Sequence, residues 1–319
     1  MLRRSRTAVL AVLLTLVLAA CGGAGDETGA QQATGAPSTE PVQQAFPVTI
    51  EAENGPVVLE EQPERIVSLS PTATESLFAV GAGDKIVAVD DQSTYPAEAP
   101  RTDLSGFQPN IEAIAGYEPD LVVAGFDPGG LVDGLEKVGV RVLLQPAATA
   151  LADAYEQVEE LGAATGNVEE AEEVVESMRS RIDELTASAS EAARGLTVYH
   201  EVSPDFFSAT SQTFIGSVYE LFGLVNIADA AADADATGYP QLTGEYIVSE
   251  SPDLIVLADT RCCDQTAATV SGRPGWDQIE AVQNGDIVEA DDDIASRWGP
   301  RTVVFVEQIA ESLAGIGRP

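Results

Sequence analysis

This chain of 319 residues has almost no lysine, a single histidine and few sulfur-containing side chains. Lysine occurs only at Lys85 and Lys137, whereas Asp and Glu total 52, so the net charge is −36. Such an acidic surface repels polyanions, which argues against nucleic acid or anionic lipid as a binding partner. His200 leaves no spare base for a Ser-His-Asp triad, and no Gly-x-Ser-x-Gly motif is present. These absences argue against a serine hydrolase, and a secreted hydrolase that uses two carboxylates is a distant alternative.

Cysteine is also scarce, with three copies in the chain. Cys262 and Cys263 are adjacent, and the absence of a CxxC pair or a His-Cys cluster argues against structural zinc, so we expect no metal site. Adjacent cysteines can close a small ring in an oxidising compartment. We therefore predict a possible disulfide between them, with two reduced, buried thiols as the alternative.

The first 20 residues have the layout of a secretory signal peptide. Arginines near Arg3 precede an apolar run from Thr7 to Ala20, which is too short for a membrane span of about 20 residues. Cys21 directly follows the small residues Ala19 and Ala20. This arrangement resembles a bacterial lipobox, in which the cysteine is lipidated. We expect a protein that is lipid-anchored through Cys21 at the outer face of the cytoplasmic membrane; an ordinary signal peptide with a chance cysteine is the alternative.

Composition divides the rest of the chain into four segments. Residues 21–47 are rich in Gly, Ala, Gln, Thr and Pro, which predicts a flexible, lipidated linker. The remaining length exceeds that of a usual single domain. We predict an N-terminal α/β lobe over residues 48–150, a connecting helical segment over 151–193 and a C-terminal α/β lobe over 194–319.

A weak internal duplication indicates that the two lobes are related. The segment Asn110 to Ala124 reads like Thr243 to Leu257: a short amphipathic helix, a Pro-Asp turn and an apolar run. Such runs predict strands buried on both faces of a parallel sheet. Between them, apolar spacing from Val168 to Ala193 predicts a long amphipathic helix, with Asn167 as its N-cap. The fold class predicted is α/β, with two Rossmann-like lobes of mostly parallel sheets and a single long α-helix joining them.

Taken together, these sequence features resemble those of a known protein family. The segment Ser68 to Gly81 (SLSPTATESLFAVG), the two Pro-Asp-Leu-(Val/Ile)-Val strands, the long helix and the Cys21 motif resemble the substrate-binding lipoproteins of bacterial ABC importers. The branch most similar takes up cobalamin, iron-siderophores and haem, and the likeness runs from Glu64 to the C-terminus. It implies a ligand cleft between the two lobes of a monomer without a resident cofactor. Such a protein binds a macrocyclic or chelate ligand and delivers it to an ABC permease with its ATPase, and it catalyses nothing.

Aromatic side chains concentrate in the loops after the predicted strands, where ligands bind in doubly wound sheets. Wide aromatic faces suit a flat macrocycle or a catechol-like chelator, whereas filling of core gaps is the alternative. Phe107 and Phe126 fall at or beside positions where the cobalamin branch has tryptophans, and Tyr95 matches its cleft tyrosine. The predicted ligand-binding aromatics are Tyr95, Phe107, Phe126 and Trp298, with Phe206 and Phe207 as secondary candidates.

The loop from Asp293 to Arg301 narrows the range of candidate ligands. It resembles the second-lobe loop of cobalamin binders, in which an Asp and an Arg four residues later contact corrin amides. Asp293 would accept from an amide N–H and Arg297 would donate to an amide C=O; an internal salt bridge is the alternative. An anionic siderophore calls for a cluster of arginines. The candidates near this rim are Arg261, Arg273, Arg297 and Arg301. Cobalamin is therefore favoured, a ferric siderophore is the runner-up and haem is third.

Three further residues have predicted roles. Glu75 and Glu220 occupy equivalent places in the two halves, and in the family one glutamate on each lobe pairs with arginines of the permease. The resemblance thus implies transporter docking, with solvated helix faces as the alternative. His200 ends a predicted strand, where it is either an axial ligand to haem iron or cobalt, or a hydrogen-bonded structural histidine.

Overall fold

The computed structural model describes residues 45–234 and 237–316, except for the side chains of 190–192 and 232–234. The predicted signal peptide, Cys21 and all but the last three residues of the predicted linker lie outside the described residues. Within them, no helix is long and apolar enough to cross a membrane.

The first lobe begins with an antiparallel hairpin and continues as a five-stranded parallel sheet. Its central strands are wholly buried, because helices cover both faces. The strands are β1 (Val48–Ala52), β2 (Gly55–Leu59), β3 (Ile66–Leu69), β4 (Ile86–Asp90), β5 (Arg101–Leu104), β6 (Leu121–Ala124) and β7 (Arg141–Leu144). The helices are α1 (Pro71–Ala79), α2 (Ile111–Ala115) and α3 (Leu131–Glu136). The order in the sheet is β5-β4-β3-β6-β7.

The connection between the lobes consists of two helices, α4 (Leu151–Thr165) and α5 (Val168–Ala193). Helix α5 is the long helix predicted from the spacing of residues 168–193, and α4 precedes it within the predicted connecting segment. Between them Gly166, at φ +76°, ends α4 in the left-handed conformation that favours glycine. The predicted N-cap bond of Asn167 is absent, because its side chain donates instead to the carbonyl of Val80 at 2.8 Å.

Helix α5 reaches the cores of both lobes. Ala171, Val175 and Met178 pack in the first core, and Ile182 and Leu185 pack in the second. This is the apolar stripe predicted from the spacing of three and four residues. A continuous helix embedded at both ends is a stiff link between the lobes.

The second lobe repeats the plan with four parallel strands. The strands are β8 (Thr197–Glu201), β9 (Val225–Asn226), β10 (Leu254–Leu257) and β11 (Ile287–Glu289). Their order in the sheet is β11-β10-β8-β9. The helices are α6 (Phe214–Glu220), α7 (Gly244–Glu250), α8 (Ala267–Ser271), α9 (Glu280–Asn284), α10 (Asp292–Ala295) and α11 (Thr302–Leu313).

The internal duplication has a physical counterpart in the Pro-Asp turns. In the first lobe the Asp120 carboxylate accepts from the backbone N–H of Arg65, just before β3. In the second lobe the Asp253 carboxylate accepts from the backbone N–H of Thr197, at the start of β8, at 2.7 Å. Each turn therefore fixes the start of the neighbouring parallel strand. The aspartate of the Pro-Asp turn thus has the same structural role in both lobes.

Candidate functional site

A cleft of about 390 Å³ lies where the carboxyl ends of β3, β4 and β6 face the loop after α10. This is the edge at which doubly wound sheets bind ligands. Residues of both lobes line the cleft. They are Leu69, Ser70, Pro71, Thr72, Asp90, Gln92, Gly106, Phe107, Gly125, Phe126, Ala147, Ser296, Arg297 and Trp298.

Two of the predicted aromatics form a pair on the first-lobe side of the cleft. The ring centroids of Phe107 and Phe126 are 5.3 Å apart at a tilt of 48°. Both rings are open to solvent, with 65% and 43% of their residue surface exposed. Such exposure is costly for a phenyl ring unless something covers it. The pair thus offers an apolar surface to a ligand.

Trp298 lines the cleft, whereas Tyr95 is not among the lining residues. The guanidinium of Arg301 lies 4.2 Å from the ring centroid of Tyr95, a cation–π contact. The indole of Trp298 packs edge-on against Phe214 of the second lobe and lines the cleft.

The Asp293–Arg297 pair sits on the second-lobe side and reaches across to the first lobe. Arg297 Nη2 donates to Asp293 Oδ1 at 2.6 Å and to the carbonyl of Gln92 at 3.1 Å. Thr94 Oγ1 donates to Asp293 Oδ2 at 2.9 Å. The internal salt bridge considered from the sequence is therefore present. Arg297 lines the cleft, whereas Asp293 lies outside the lining and holds Arg297 in place.

Asp90 is a cleft residue that the sequence did not reveal. It ends β4, its side chain is buried, and Ser93 Oγ donates to its Oδ1 at 2.5 Å. Burial raises the pKa of this carboxyl group above its ordinary value, while the Ser93 hydrogen bond opposes the change. The only available signal was an Asp-Asp pair directly after an apolar strand.

A second buried carboxylate cluster was also missed, and it lies in the second-lobe core. Arg273 donates through both terminal nitrogens to Glu201, each at 2.6 Å, and Tyr199 donates to the same carboxylate. Burial, followed by the negative charge of Glu201, raises the pKa of the neighbouring Asp259 to about 7. Arg273 also lies against the rings of Phe206 and Trp276. Arg273 and Phe206 thus serve this cluster and do not line the cleft.

Comparison with known proteins agrees with this architecture. The model of a periplasmic binding protein family matches residues 66–294. The chain belongs to that family. It is 33% identical, over 97% of its own length and 98% of the relative's, to an uncharacterised ABC transporter substrate-binding lipoprotein of Bacillus subtilis. It is 31% identical to a cobalamin-binding protein of Halobacterium salinarum, over 97% of this chain and 84% of that one.

Solved structures of the family share the fold. A protein of an ABC-type Fe³⁺-hydroxamate transport system from Saccharomonospora viridis matches with a TM-score of 0.66 and 28% identity. The match covers 84% of this chain and 99% of that one. Relatives with this fold are thus named for different ligands. The ligand of this protein therefore has to be inferred from the residues of the cleft.

The docking role expected for Glu75 from the family conflicts with its position. Glu75 lies on α1, only 1% of its side chain is exposed, and both of its oxygens pair with arginines of the second lobe. Arg297 Nη1 donates at 3.0 Å and Arg301 Nε donates at 2.8 Å. A carboxylate so enclosed is not available to a permease, so this prediction is wrong for Glu75. Glu220, at the end of α6, is exposed, but the two side chains are not equivalent.

His200 lies inside the second-lobe core and away from the cleft lining. Its Nδ1 is 2.6 Å from the Tyr219 hydroxyl, and its ring packs edge-on against Phe305. Complete burial lowers its pKa to about 3, so the ring is neutral at physiological pH. The alternative of a hydrogen-bonded structural histidine is the one observed. Among the described side chains, no group of His, Cys, Asp or Glu is arranged to hold a metal ion.

The loop after β10 carries the adjacent cysteines. A disulfide joins Cys262 to Cys263. Asp292 fixes this loop by accepting from the backbone N–H groups of Arg261 and Cys262 at 2.9 and 2.7 Å. Arg261 Nη1 in turn donates to Asp293 at 3.1 Å, so the loop adjoins the cleft pair. Phe207, the remaining aromatic candidate, is partly exposed and bridges to Gln241, outside the cleft lining.

Proposed function

We propose that this protein captures cobalamin or a related corrinoid outside the cytoplasm and delivers it to the permease of an ABC importer. The observation that carries the proposal is Arg297, which is held by Asp293 and lines the same cleft as the exposed Phe107 and Phe126. The cobalamin-binding relative from Halobacterium salinarum supports it.

The chemistry of the cleft suits a corrin ring with its amide side chains. Asp293 accepts from amide N–H groups and Arg297 donates to amide carbonyls. Phe107, Phe126 and Trp298 supply apolar surface for the macrocycle. Asp90, whose buried carboxyl group has a raised pKa, adds a polar group to the cleft lining. The site thus combines wide apolar faces with a few directed polar groups.

Ligand binding requires the lobes to part slightly. The cleft volume of about 390 Å³ is near the lower end of the roughly 300–1,000 Å³ typical of ligand pockets. A corrinoid is large for such a space. Thr94 and Gln92 of the first lobe bond to Asp293 and Arg297, and a corrinoid would replace these contacts with its own amides. The stiff α5 helix limits the movement to a modest opening.

The cellular setting follows from the N-terminal segment and the family. We infer that Cys21 is lipidated and anchors a monomer at the outer face of the cytoplasmic membrane. The protein then acts by binding and delivery, without a chemical step. The lipoprotein relative from Bacillus subtilis supports this location.

For docking, the repeated segments offer a better pair of carboxylates than Glu75 and Glu220. Glu112 is the second residue of α2 and Glu245 is the second residue of α7; both are exposed. Asn110 and Thr243 cap these helices in the same way, each side chain accepting from a backbone N–H three residues on. Helices after a strand begin on the cleft side of such sheets. We infer that Glu112 and Glu245 flank the cleft and meet basic residues of the permease.

Calorimetric titration of the full chain in detergent tests the ligand. The panel is cyanocobalamin, a neutral ferric hydroxamate, an anionic ferric catecholate and haemin. Tight, near-stoichiometric cyanocobalamin binding is expected. The ferric hydroxamate is the second candidate, favoured by the Saccharomonospora relative; heat with that ligand alone would keep the transport role and overturn the corrinoid. Turnover of an ester or glycoside panel would instead indicate the hydrolase alternative.

A further inference from the structure

Glu75 joins the two arginines of the second lobe that stand nearest the cleft. Its Oε1 accepts from Arg297 and Arg301, and its Oε2 accepts from Arg301. The exposed fractions of the two arginine side chains are 12% and 19%. The partners lie on different lobes and are more than 200 residues apart in the chain: the separations are 222 and 226. The contact therefore forms only in the folded two-lobed protein.

The group is balanced in charge. Arg297, Arg301 and Arg261 supply three positive charges, and Glu75, Asp293 and Asp291 supply three negative charges. Among the described residues that line the cleft, Arg297 is the one cation and Asp90 the one carboxylate. Arg297 forms ion pairs with both Glu75 and Asp293. Because these carboxylates neutralise its charge, Arg297 offers directed N–H donors to the cleft without a net positive charge.

We propose that Glu75 sets the charge selectivity of the cleft, admitting an uncharged, amide-bearing ligand and excluding anionic ferric chelates. This inference rests on the proposed function, which it deepens. Glu75 acts through Arg297 and Arg301 and is a positioning residue without ligand contact of its own. Removing its charge leaves one positive charge uncompensated at the site where an anionic chelate would bind.

The two arginines have other partners that keep them in place without Glu75. Arg297 also bonds to Asp293 and to the carbonyl of Gln92, and Arg301 lies on the ring of Tyr95. Glu75→Gln keeps the shape and one acceptor oxygen of the side chain. The substitution therefore changes the charge of the site more than its geometry.

The test compares three ligands on the full chain in detergent by calorimetry: cyanocobalamin, a neutral ferric tris-hydroxamate and a trianionic ferric tris-catecholate. Glu75→Gln should raise the affinity for the tris-catecholate at least tenfold and leave that for the neutral hydroxamate unchanged. The gain should shrink with added salt, because screening weakens the attraction. Glu220→Gln, an exposed carboxylate of the second lobe, should give no gain.

A charge-restoring variant separates selectivity from a structural effect. Glu75→Gln combined with Arg301→Gln returns the group to neutrality and should abolish the gain. A folded Glu75→Gln protein that binds cyanocobalamin but gains no tris-catecholate affinity overturns the inference alone. If the wild type binds no cyanocobalamin, the proposed function fails instead. Should Glu75→Gln not fold, Asp293→Asn, at a side chain that is 24% exposed, leaves the same uncompensated charge. No gain in that variant overturns the inference equally.

Discussion

The indole Nε1 of Trp298 donates a hydrogen bond of 2.8 Å to Oε1 of Gln157. Gln157 lies on α4, and its Nε2 donates in turn to the carbonyl of Pro146 at 2.8 Å. One amide of the connecting segment therefore joins a cleft residue of the second lobe to the loop after β7 of the first. Because the donor and the acceptor of an amide are on different atoms, the bond to Pro146 orients the Gln157 side chain, and the bond to the Gln157 oxygen then orients the indole ring.

Trp298→Ala is expected to weaken cyanocobalamin binding by about 10- to 100-fold, because a large apolar side chain contributes roughly 1.5–3 kcal/mol when it is covered. Trp298→Phe keeps a ring and should lose less. Calorimetry measures the affinity, and thermal unfolding shows whether each variant remains folded. An unchanged affinity in a folded Trp298→Ala protein would remove this residue from the ligand site.

The link through Gln157 has its own test. Gln157→Met keeps the length of the side chain but removes both hydrogen bonds, so the affinity should fall by roughly fivefold, the value of one net bond of about 1 kcal/mol. The chain has two tryptophans, so the difference between wild-type and Trp298→Phe emission reports Trp298 itself. That emission should shift in Gln157→Met and return toward the wild type in Gln157→Glu, which keeps an acceptor. No shift in either variant would contradict the positioning role.

The docking pair is tested in cells and in solution. Glu112→Ala with Glu245→Ala should leave cyanocobalamin affinity within twofold of the wild type, since both side chains lie on helices outside the cleft lining. Uptake should fall at least tenfold, because each carboxylate would lose a charge-assisted contact worth about 1.5–3 kcal/mol. Glu220→Ala is the matched control, exposed on α6 but outside the repeated segment. Normal uptake by the double variant would exclude this surface as the contact.

Sequence patterns predicted the parts of the fold that depend on neighbours along the chain. The stripe containing Val175 and Ile182 follows the helical repeat, and the apolar runs at β6 and β10 follow from burial on both faces. The bounds of the long helix over residues 168–193 were also correct, whereas the N-cap bond of Asn167 was not, because its side chain bonds to Val80, which is 87 residues earlier in the chain.

Long-range charge pairing could not be predicted in the same way. Glu201 and Arg273 are 72 residues apart, and Glu75 and Arg297 are 222 residues apart. No local pattern says which carboxylates are buried against an arginine from a distant segment. Glu75 on a helix face therefore reads as exposed until both lobes are assembled. The location of the aromatic candidates was easier to predict, because the carboxyl ends of parallel strands meet at one edge of a sheet and this does not depend on long-range pairing of side chains.

The buried Asp259 makes stability depend on pH in a defined direction. Its pKa is about 7 in the folded protein, because burial and the adjacent Glu201 disfavour its charge, against an ordinary value of 3.8. Between these values the folded protein binds more protons than the unfolded chain. The stabilisation from this group is therefore complete below about pH 4 and is lost as the pH rises toward 7.

Asp259→Asn replaces the protonated acid with a neutral side chain of the same shape. The variant should lose part of the decline in Tm between pH 4 and 7, and its Tm should exceed that of the wild type at pH 7.5. Asp84→Asn, at an exposed position of the first lobe, should follow the wild-type profile. The measurement is thermal unfolding by circular dichroism across this pH range. Parallel profiles for the wild type and Asp259→Asn would mean that Asp259 is ionised in the fold, with Arg273 shared between two carboxylates.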